Sequence, residues 1–266
     1  MKNNYTIIIP VHEFNDNVKK YLTISLKSVD NQKKIKYKPS VLIVSSVRAF
    51  DGINKFISET EFPKINLEII KNDGDSSFQG QMNFASKYIT TKYFMFLEFD
   101  DELNENYLYR SDKYLMEMGD IGIFLNILIN VNEDNKPINL TNEMAWSRQF
   151  NDKTSDLGFL NVEQLIQFSD FSISGAFINT KIFKNVGMLK TKIELSFVYE
   201  FLLRVLNSGY KIFVIPKIGC KHVKDRDGSL FKNYMINMSV VDRKFWFETA
   251  KKEYFFNNDR DIVKKV

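Results

Sequence analysis

A hydrophobic run, Phe94-Met95-Phe96-Leu97, passes directly into Glu98-Phe99-Asp100-Asp101-Glu102, which places four carboxylates within five residues. Like charges held this closely at the end of a strand raise one another's pKa unless a cation or solvent relieves them. A hard divalent ion, Mn²⁺ or Mg²⁺, would do so, because it takes oxygen ligands and keeps positions open for phosphate oxygens. A solvated acidic turn is the plainer alternative. Glu200 stands out for a different reason. It lies within Tyr199-Glu200-Phe201-Leu202-Leu203-Arg204, an apolar setting where a carboxylate needs a partner, most simply Arg204 one helical turn on. Lys224-Asp225-Arg226-Asp227-Gly228-Ser229 reads as a polar loop that carries cations.

The acidic run needs elements to position it, and the first hundred residues supply them in alternation. Tyr5 to Val11 is short, β-branched and apolar on both faces, as a buried parallel strand is. Asn15 to Gln32 then carries Val18, Leu22, Leu26 and Val29 at helical spacing, with Asn15 and Asp16 as capping side chains. Strands are expected at Ser40 to Val44, Ile65 to Lys71 and Tyr93 to Phe99, and helices at Gly52 to Glu59 and Gln79 to Ile89. Asp73-Gly74-Asp75-Ser76-Ser77 has the chemistry of a tight turn. This alternation implies βαβ units and a parallel sheet covered on both faces, with ligands bound at the carboxyl ends of the strands. The second half is less regular. It offers a strand at Ile121 to Val131, a short helix at Val162 to Phe168, a strand-like Ser172 to Asn179, a helix at Phe197 to Asn207 and a short strand at Ile212 to Ile215 before Pro216.

The chain of 266 residues carries a formal charge of +4, with 44% hydrophobic and 26% charged residues. Those proportions describe a folding domain and exclude wholesale disorder. The small charge leaves no basic face for nucleic acid, which is not expected as a partner. Cys220 is the single cysteine, so neither a disulfide framework nor a multi-cysteine metal site is available. The longest apolar stretches fall short of the ~20 residues that span a bilayer, and the amino terminus does not read as a signal peptide. The expectation is a soluble, cytoplasmic protein with no transmembrane segment.

Several segments, in order, resemble the family 2 glycosyltransferases of the GT-A fold. Thr6-Ile7-Ile8-Ile9-Pro10-Val11 is similar to their opening strand, and Ser25 to Gln32 to the end of their first helix. Phe96-Leu97-Glu98-Phe99-Asp100-Asp101 is similar to their D-x-D-D, with Asn83 matching the helix ahead of it. Ser174 to Asn179, Phe183 to Gly187, Leu202 to Val205 and Gly209 to Ile212 resemble their acceptor-side segments. The resemblance spans roughly residues 5 to 225. It implies an α/β fold with a GT-A (Rossmann-like) mixed, mainly parallel sheet flanked by helices. It also implies a nucleotide-diphosphate sugar donor, a divalent metal, and transfer to a saccharide or other hydroxyl acceptor with inversion.

Carried over by position, Glu98 touches the ribose or sugar, with Phe99 beside it, and Asp100 and Asp101 hold the ion, Mn²⁺ or Mg²⁺. Pro10, Val11, His12 and Glu13 lie beside the nucleotide base, where the His12 ring would stack. Ser45 stands where the family places an acidic base contact, and Asp73 or Asp75 would substitute for that contact; a UDP-sugar is favoured over a GDP-sugar. The family's catalytic base is the Asp of an E-D pair opening the helix that ends at Arg204, but this chain has Phe197-Val198 there. Glu200 and Glu194 are the nearby carboxylates, with a salt bridge to Arg204 as the alternative for Glu200. His222 is a further metal ligand by resemblance, and Arg226 the residue that closes over the diphosphate.

Residues 1–230 read as the catalytic domain, with a nucleotide-sugar half over about 1–105 and an acceptor half over about 106–230. Residues 231–266, dense in aromatics and lysines, read as a C-terminal helical extension that packs on the domain and would suit a homodimer contact. The rival to an enzyme is a degenerate, non-catalytic sugar- or nucleotide-binding module, motivated by the missing E-D pair.

Overall fold

The computed structural model describes residues 4–151, 157–167, 171–193, 195–224, 226, 236–245 and 248. Strands β1 (Tyr5–Val11), β2 (Ser40–Ser46), β3 (Asn66–Asn72) and β4 (Tyr93–Phe96) alternate with helices α1 (Asp16–Asp30), α2 (Val47–Ser58) and α3 (Phe78–Ala85). Then follow β5 (Asp101–Leu103), α4 (Tyr107–Glu117), β6 (Ile121–Val131), β7 (Pro137–Thr141), α5 (Met144–Asn151) and α6 (Val162–Gln167). The last described elements are β8 (Phe177–Asn179), α7 (Thr180–Asn185), α8 (Phe197–Asn207) and β9 (Lys211–Val223). The strands form one sheet in the order β3-β2-β1-β4-β8-β6-β9-β5, with β7 paired to β6. The first four strands are parallel throughout, as is β6 with β9; β8, β5 and β7 join antiparallel.

Alternating side chains explain why both faces of this sheet are covered. Tyr5, Ile7, Ile9 and Val11 of β1, with Tyr93 and Met95 of β4, pack with α1, α2 and α4. Ile8, Phe94 and Phe96 point the other way, into a second core with α3, α7 and α8. A strand buried on both faces is continuously apolar, and β1 and β4 read so in the sequence. Helix α1 buries Val18, Leu22, Ser25, Leu26 and Val29, and the Asn15 side chain accepts from the Val18 N–H at its start. Helix α2 begins at Val47 rather than Gly52, because the Ser46 hydroxyl caps it by accepting from the Ala49 N–H.

Two departures from the sequence expectation shape the region around the acidic run. Strand β4 ends at Phe96, and Asp101–Leu103 form a separate strand that pairs antiparallel with β9. Strand β9 does not stop before Pro216. It runs on to Val223, with register shifts against β6 that leave Pro216 and Lys217 without a paired residue on that strand. A bulge of this kind accommodates proline, which cannot donate to a ladder, and lets the strand continue in a new direction. The continuation brings His222 directly across from Asp101.

Among the described residues no helix is long and apolar enough to cross a membrane. In the C-terminal part, Ile236, Val240, Val241 and Phe245 are exposed. Residues 231–235, 246–247 and 249–266 of the expected extension, Phe231, Trp246 and Phe247 among them, lie outside the described residues.

Candidate active site

The carboxyl ends of β1 and β4 meet at the acidic run, and the turn that follows β4 is fixed by backbone contacts. The Asp101 N–H donates to the Glu98 carbonyl at 3.1 Å, and the Glu98 N–H donates to the Ser174 hydroxyl at 3.2 Å. Ser174 is held from below, since the Asn126 side-chain amide donates to its carbonyl at 2.6 Å and Tyr107 donates to the Gly175 carbonyl at 2.9 Å. Gly175 takes a φ of +72°, and a Cβ there would collide with the Cys220 sulfur and the Asn126 amide. Only glycine meets both conditions. Sequence reading singled out none of Tyr107, Asn126 and Cys220 as supports of this turn, because buried positions contributed by distant elements, α4, β6 and β9, carry no local signal.

Each aspartate of the run already has a cationic partner. Arg226 sends Nε and Nη2 to Asp100 Oδ2, each at 2.6 Å, and both side chains are 7% exposed. Its guanidinium also lies 5.1 Å from the Tyr21 ring centroid and 5.2 Å from that of Phe99. Asp101 is fully buried, and its Oδ1 meets His222 Nδ1 at 2.6 Å. Its second oxygen, Oδ2, has no hydrogen-bond partner among the described residues. Burial pushes the Glu98 carboxyl up to about 8, with the charges of Asp101 and Asp100 adding to the rise and His222 and Arg226 opposing it. Asp100 is raised by burial and by Asp101, against the pull of Arg226. For His222 burial works toward the neutral form, but Asp101, Glu98 and Asp100 outweigh it and raise the imidazole to about 10.

Among the described residues, no three His, Cys, Asp or Glu side chains converge as a ready cage for an ion. The donor set nevertheless fits a hard divalent cation. It offers a fully buried carboxylate oxygen with no partner among the described residues, a second carboxylate, and a histidine fixed through Nδ1 by an aspartate. Arg226 engages Asp100 through Oδ2 alone.

Around the base-side loops the sequence-expected contacts divide. Val11 ends β1 with its N–H on the Gln81 side-chain oxygen at 3.2 Å, and Pro10 precedes it in the buried strand. His12 stands edge-on to Phe99 with ring centroids 6.3 Å apart, and Glu13 is exposed beside it. Ser45 is fully buried and donates to the Ser46 carbonyl, so its hydroxyl faces the protein interior. Ser46 is equally committed, donating to the His12 carbonyl while it caps α2. Asp73 is exposed beyond β3. The residue that shapes this loop is Asn72, whose side chain accepts from the Gly74 N–H and donates to the Asp75 carbonyl.

Asn83 binds both the N–H and the carbonyl of Leu189, which ties α3 to the segment after α7 rather than to a ligand. Glu200 is 2% exposed, and both its oxygens are taken by Arg204, at 2.7 and 2.9 Å, with Lys190 at 3.3 Å. Arg204 further donates to the carbonyls of Val186 and Met188. The structure thus realises the ion-pair alternative for Glu200. Glu194 lies outside the described residues.

The model of glycosyl transferase family 2 matches residues 6–183, well over half of the chain. The chain belongs to this family. It is a glycosyltransferase of the GT-A fold. No curated protein sequence matches the glycosyltransferase. Among solved structures it is similar to S. aureus TarS 1–349 in complex with UDP-GlcNAc, at a TM-score of 0.67 and 18% identity, over 98% of this chain and 69% of that one. It is also similar to the mannosyltransferase PcManGT from Pyrobaculum calidifontis in complex with GDP-Man and Mn²⁺, at a TM-score of 0.58 and 13% identity, over 86% of this chain and 59% of that one.

Proposed function

We propose that this glycosyltransferase moves a sugar from a nucleotide-diphosphate sugar to an acceptor hydroxyl, with inversion and with Mn²⁺ or Mg²⁺ bound. The observation that carries the reading is the buried acidic cluster at the carboxyl ends of β1 and β4. It gathers Glu98, Asp100 and Asp101 with two protein cations where open α/β sheets bind ligands. Asp100, Asp101 and His222 would hold the ion. Asp101 Oδ1 holds His222 Nδ1 in this structure, so coordination of one ion by both residues would require that contact to open. When bound, the ion would offset charge developing on the departing diphosphate.

Glu98 would then meet the ribose or sugar, and the bases of the donor would lie between His12 and the loop shaped by Asn72. UDP is favoured because TarS, bound to UDP-GlcNAc, is the more similar of the two neighbours described. Both Glu200 oxygens are engaged, so the base role passes to Glu194, the acidic residue that precedes α8. Residues 1–230 form the catalytic unit in this reading, and 231–266 its C-terminal extension. Calorimetry with a panel of UDP- and GDP-sugars in Mn²⁺, followed by an assay for released nucleotide, tests it. Metal-dependent binding with release supports a transferase, whereas binding without release would make the chain a non-catalytic binding module.

A further inference from the structure

Helix α3 carries three amide side chains, and they tie it to two different parts of the molecule. Gln79 donates to the Ile193 carbonyl at 2.7 Å and Asn83 binds the backbone of Leu189, so both reach the segment between α7 and α8. Gln81 reaches the base side instead. It is 1% exposed; its Oε1 accepts from the Val11 N–H at 3.2 Å and its Nε2 donates to the Ser76 carbonyl at 3.0 Å. One buried side chain thus joins the end of β1 to the loop after β3. Strand β2 lies between those strands, so the loops that follow β1 and β3 flank its carboxyl end as the two walls of a slot. Each wall is braced elsewhere as well: the Ser46 hydroxyl donates to the His12 carbonyl at 2.6 Å, and Asn72 donates to the Asp75 carbonyl at 2.7 Å. The second wall sits hard against α3, since a Cβ at Gly80 would collide with Asp75. Beneath the slot, the hydroxyl protons of Ser45 and Ser46 are spent on backbone carbonyls, which leaves selection of a base to the walls and their spacing.

We propose that Gln81 is a positioning residue that fixes the width of this slot and thereby sets the discrimination between a one-ring and a two-ring nucleotide base. This rests on the nucleotide-sugar reading above, which puts the base between His12 and the loop shaped by Asn72. Specificity is a difference of two affinities, and a preorganised slot rejects the base that would force its walls apart. Walls that are no longer joined open for the larger base and hold the smaller one less firmly. A glutamine suits the task because it accepts from one wall and donates to the other. Both bonds are buried, where a lost partner is costly.

The test measures dissociation constants of UDP and GDP by isothermal titration calorimetry in saturating Mn²⁺. It compares the wild type with Gln81→Met, Gln81→Asn and Gln79→Met, each checked for a cooperative melting transition. Gln81→Met keeps the volume without the amide, and Gln81→Asn keeps an amide that is one methylene short of spanning both walls. The wild type is expected to favour UDP, and the ratio of UDP to GDP affinity should fall on the order of tenfold in both Gln81 variants. Gln79→Met removes a buried hydrogen bond from the same helix but should keep the wild-type ratio, which separates the slot from a general loosening of α3. The role of Gln81 is overturned, with the nucleotide-sugar reading intact, by a wild type without preference for UDP or by Gln81 variants that keep its ratio. An equal shift in Gln79→Met overturns it too. Binding of neither nucleotide by the wild type overturns both.

Discussion

Replacing Glu200 with alanine should damage the fold before it damages the chemistry. The carboxylate is 2% exposed and meets Arg204 through two hydrogen bonds of 2.7 and 2.9 Å, with Lys190 at 3.3 Å. Removing it leaves a largely buried guanidinium without its counter-charge. Breaking a buried pair from one side costs about 3–5 kcal/mol. For a chain of this size each kcal/mol lowers the melting temperature by roughly 2–4 °C, so Glu200→Ala should melt on the order of 6–20 °C lower. Differential scanning calorimetry measures this, and steady-state kinetics well below the melting point measures what remains of activity. A double variant, Glu200→Leu with Arg204→Met, should recover much of the loss, because apolar residues of similar volume can replace a buried pair. The reasoning fails if Glu200→Ala melts with the wild type while kcat drops by orders of magnitude at unchanged donor affinity. That pattern belongs to a catalytic base.

Asp100→Asn combined with Asp101→Asn should abolish both donor hydrolysis and sugar transfer, and undiminished turnover would contradict the role given to the cluster. In the metal-free protein, stability should fall as the pH rises from about 6.5 to 10. His222, raised to about 10 in the folded state, contributes fully below its ordinary value of 6.5 and loses that contribution as the pH climbs through 10. Glu98, raised to about 8, acts in the same direction over a lower window that begins at 4.5. Saturating Mn²⁺ should flatten the decline, and melting curves that are level or rising without metal would refute these assignments. Gly175→Ala should cost about 1–3 kcal/mol from crowding against Cys220 and Asn126 and should weaken donor binding by shifting Ser174 beneath Glu98. A denaturation midpoint equal to the wild type would show that the turn tolerates a side chain.

The parallel half of the sheet was legible in the sequence because strands buried on both faces leave continuous apolar runs between capped amphipathic helices. Tyr5 to Val11 and Asn15 to Gln32 coincide with β1 and α1 to within a residue or two. The acidic run was legible for the same reason, as charge abutting a buried strand. Helix α4 was not expected: Tyr107 to Glu117 mixes tyrosines and aliphatic residues with charged ones, and no side chain caps its start. Strand β9 was cut short at Pro216, since a bulge that accommodates proline depends on the partner strand rather than on local sequence. The same non-local pairing hid the juxtaposition of Asp101 with His222 and the placement of Arg226 on Asp100. The hydroxyls of Ser45 and Ser46 at the end of β2 are consumed locally, one on its neighbour's carbonyl and one on the His12 carbonyl at a helix cap, which residue type alone does not reveal.

The most direct measurement is a crystal structure of the protein soaked with Mn²⁺ and UDP, with anomalous diffraction recorded at the manganese edge. The account predicts an anomalous peak bound to Asp100 and to the pair formed by Asp101 and His222, with the diphosphate on the ion. A peak elsewhere, or nucleotide bound while the cluster holds no ion, would contradict it.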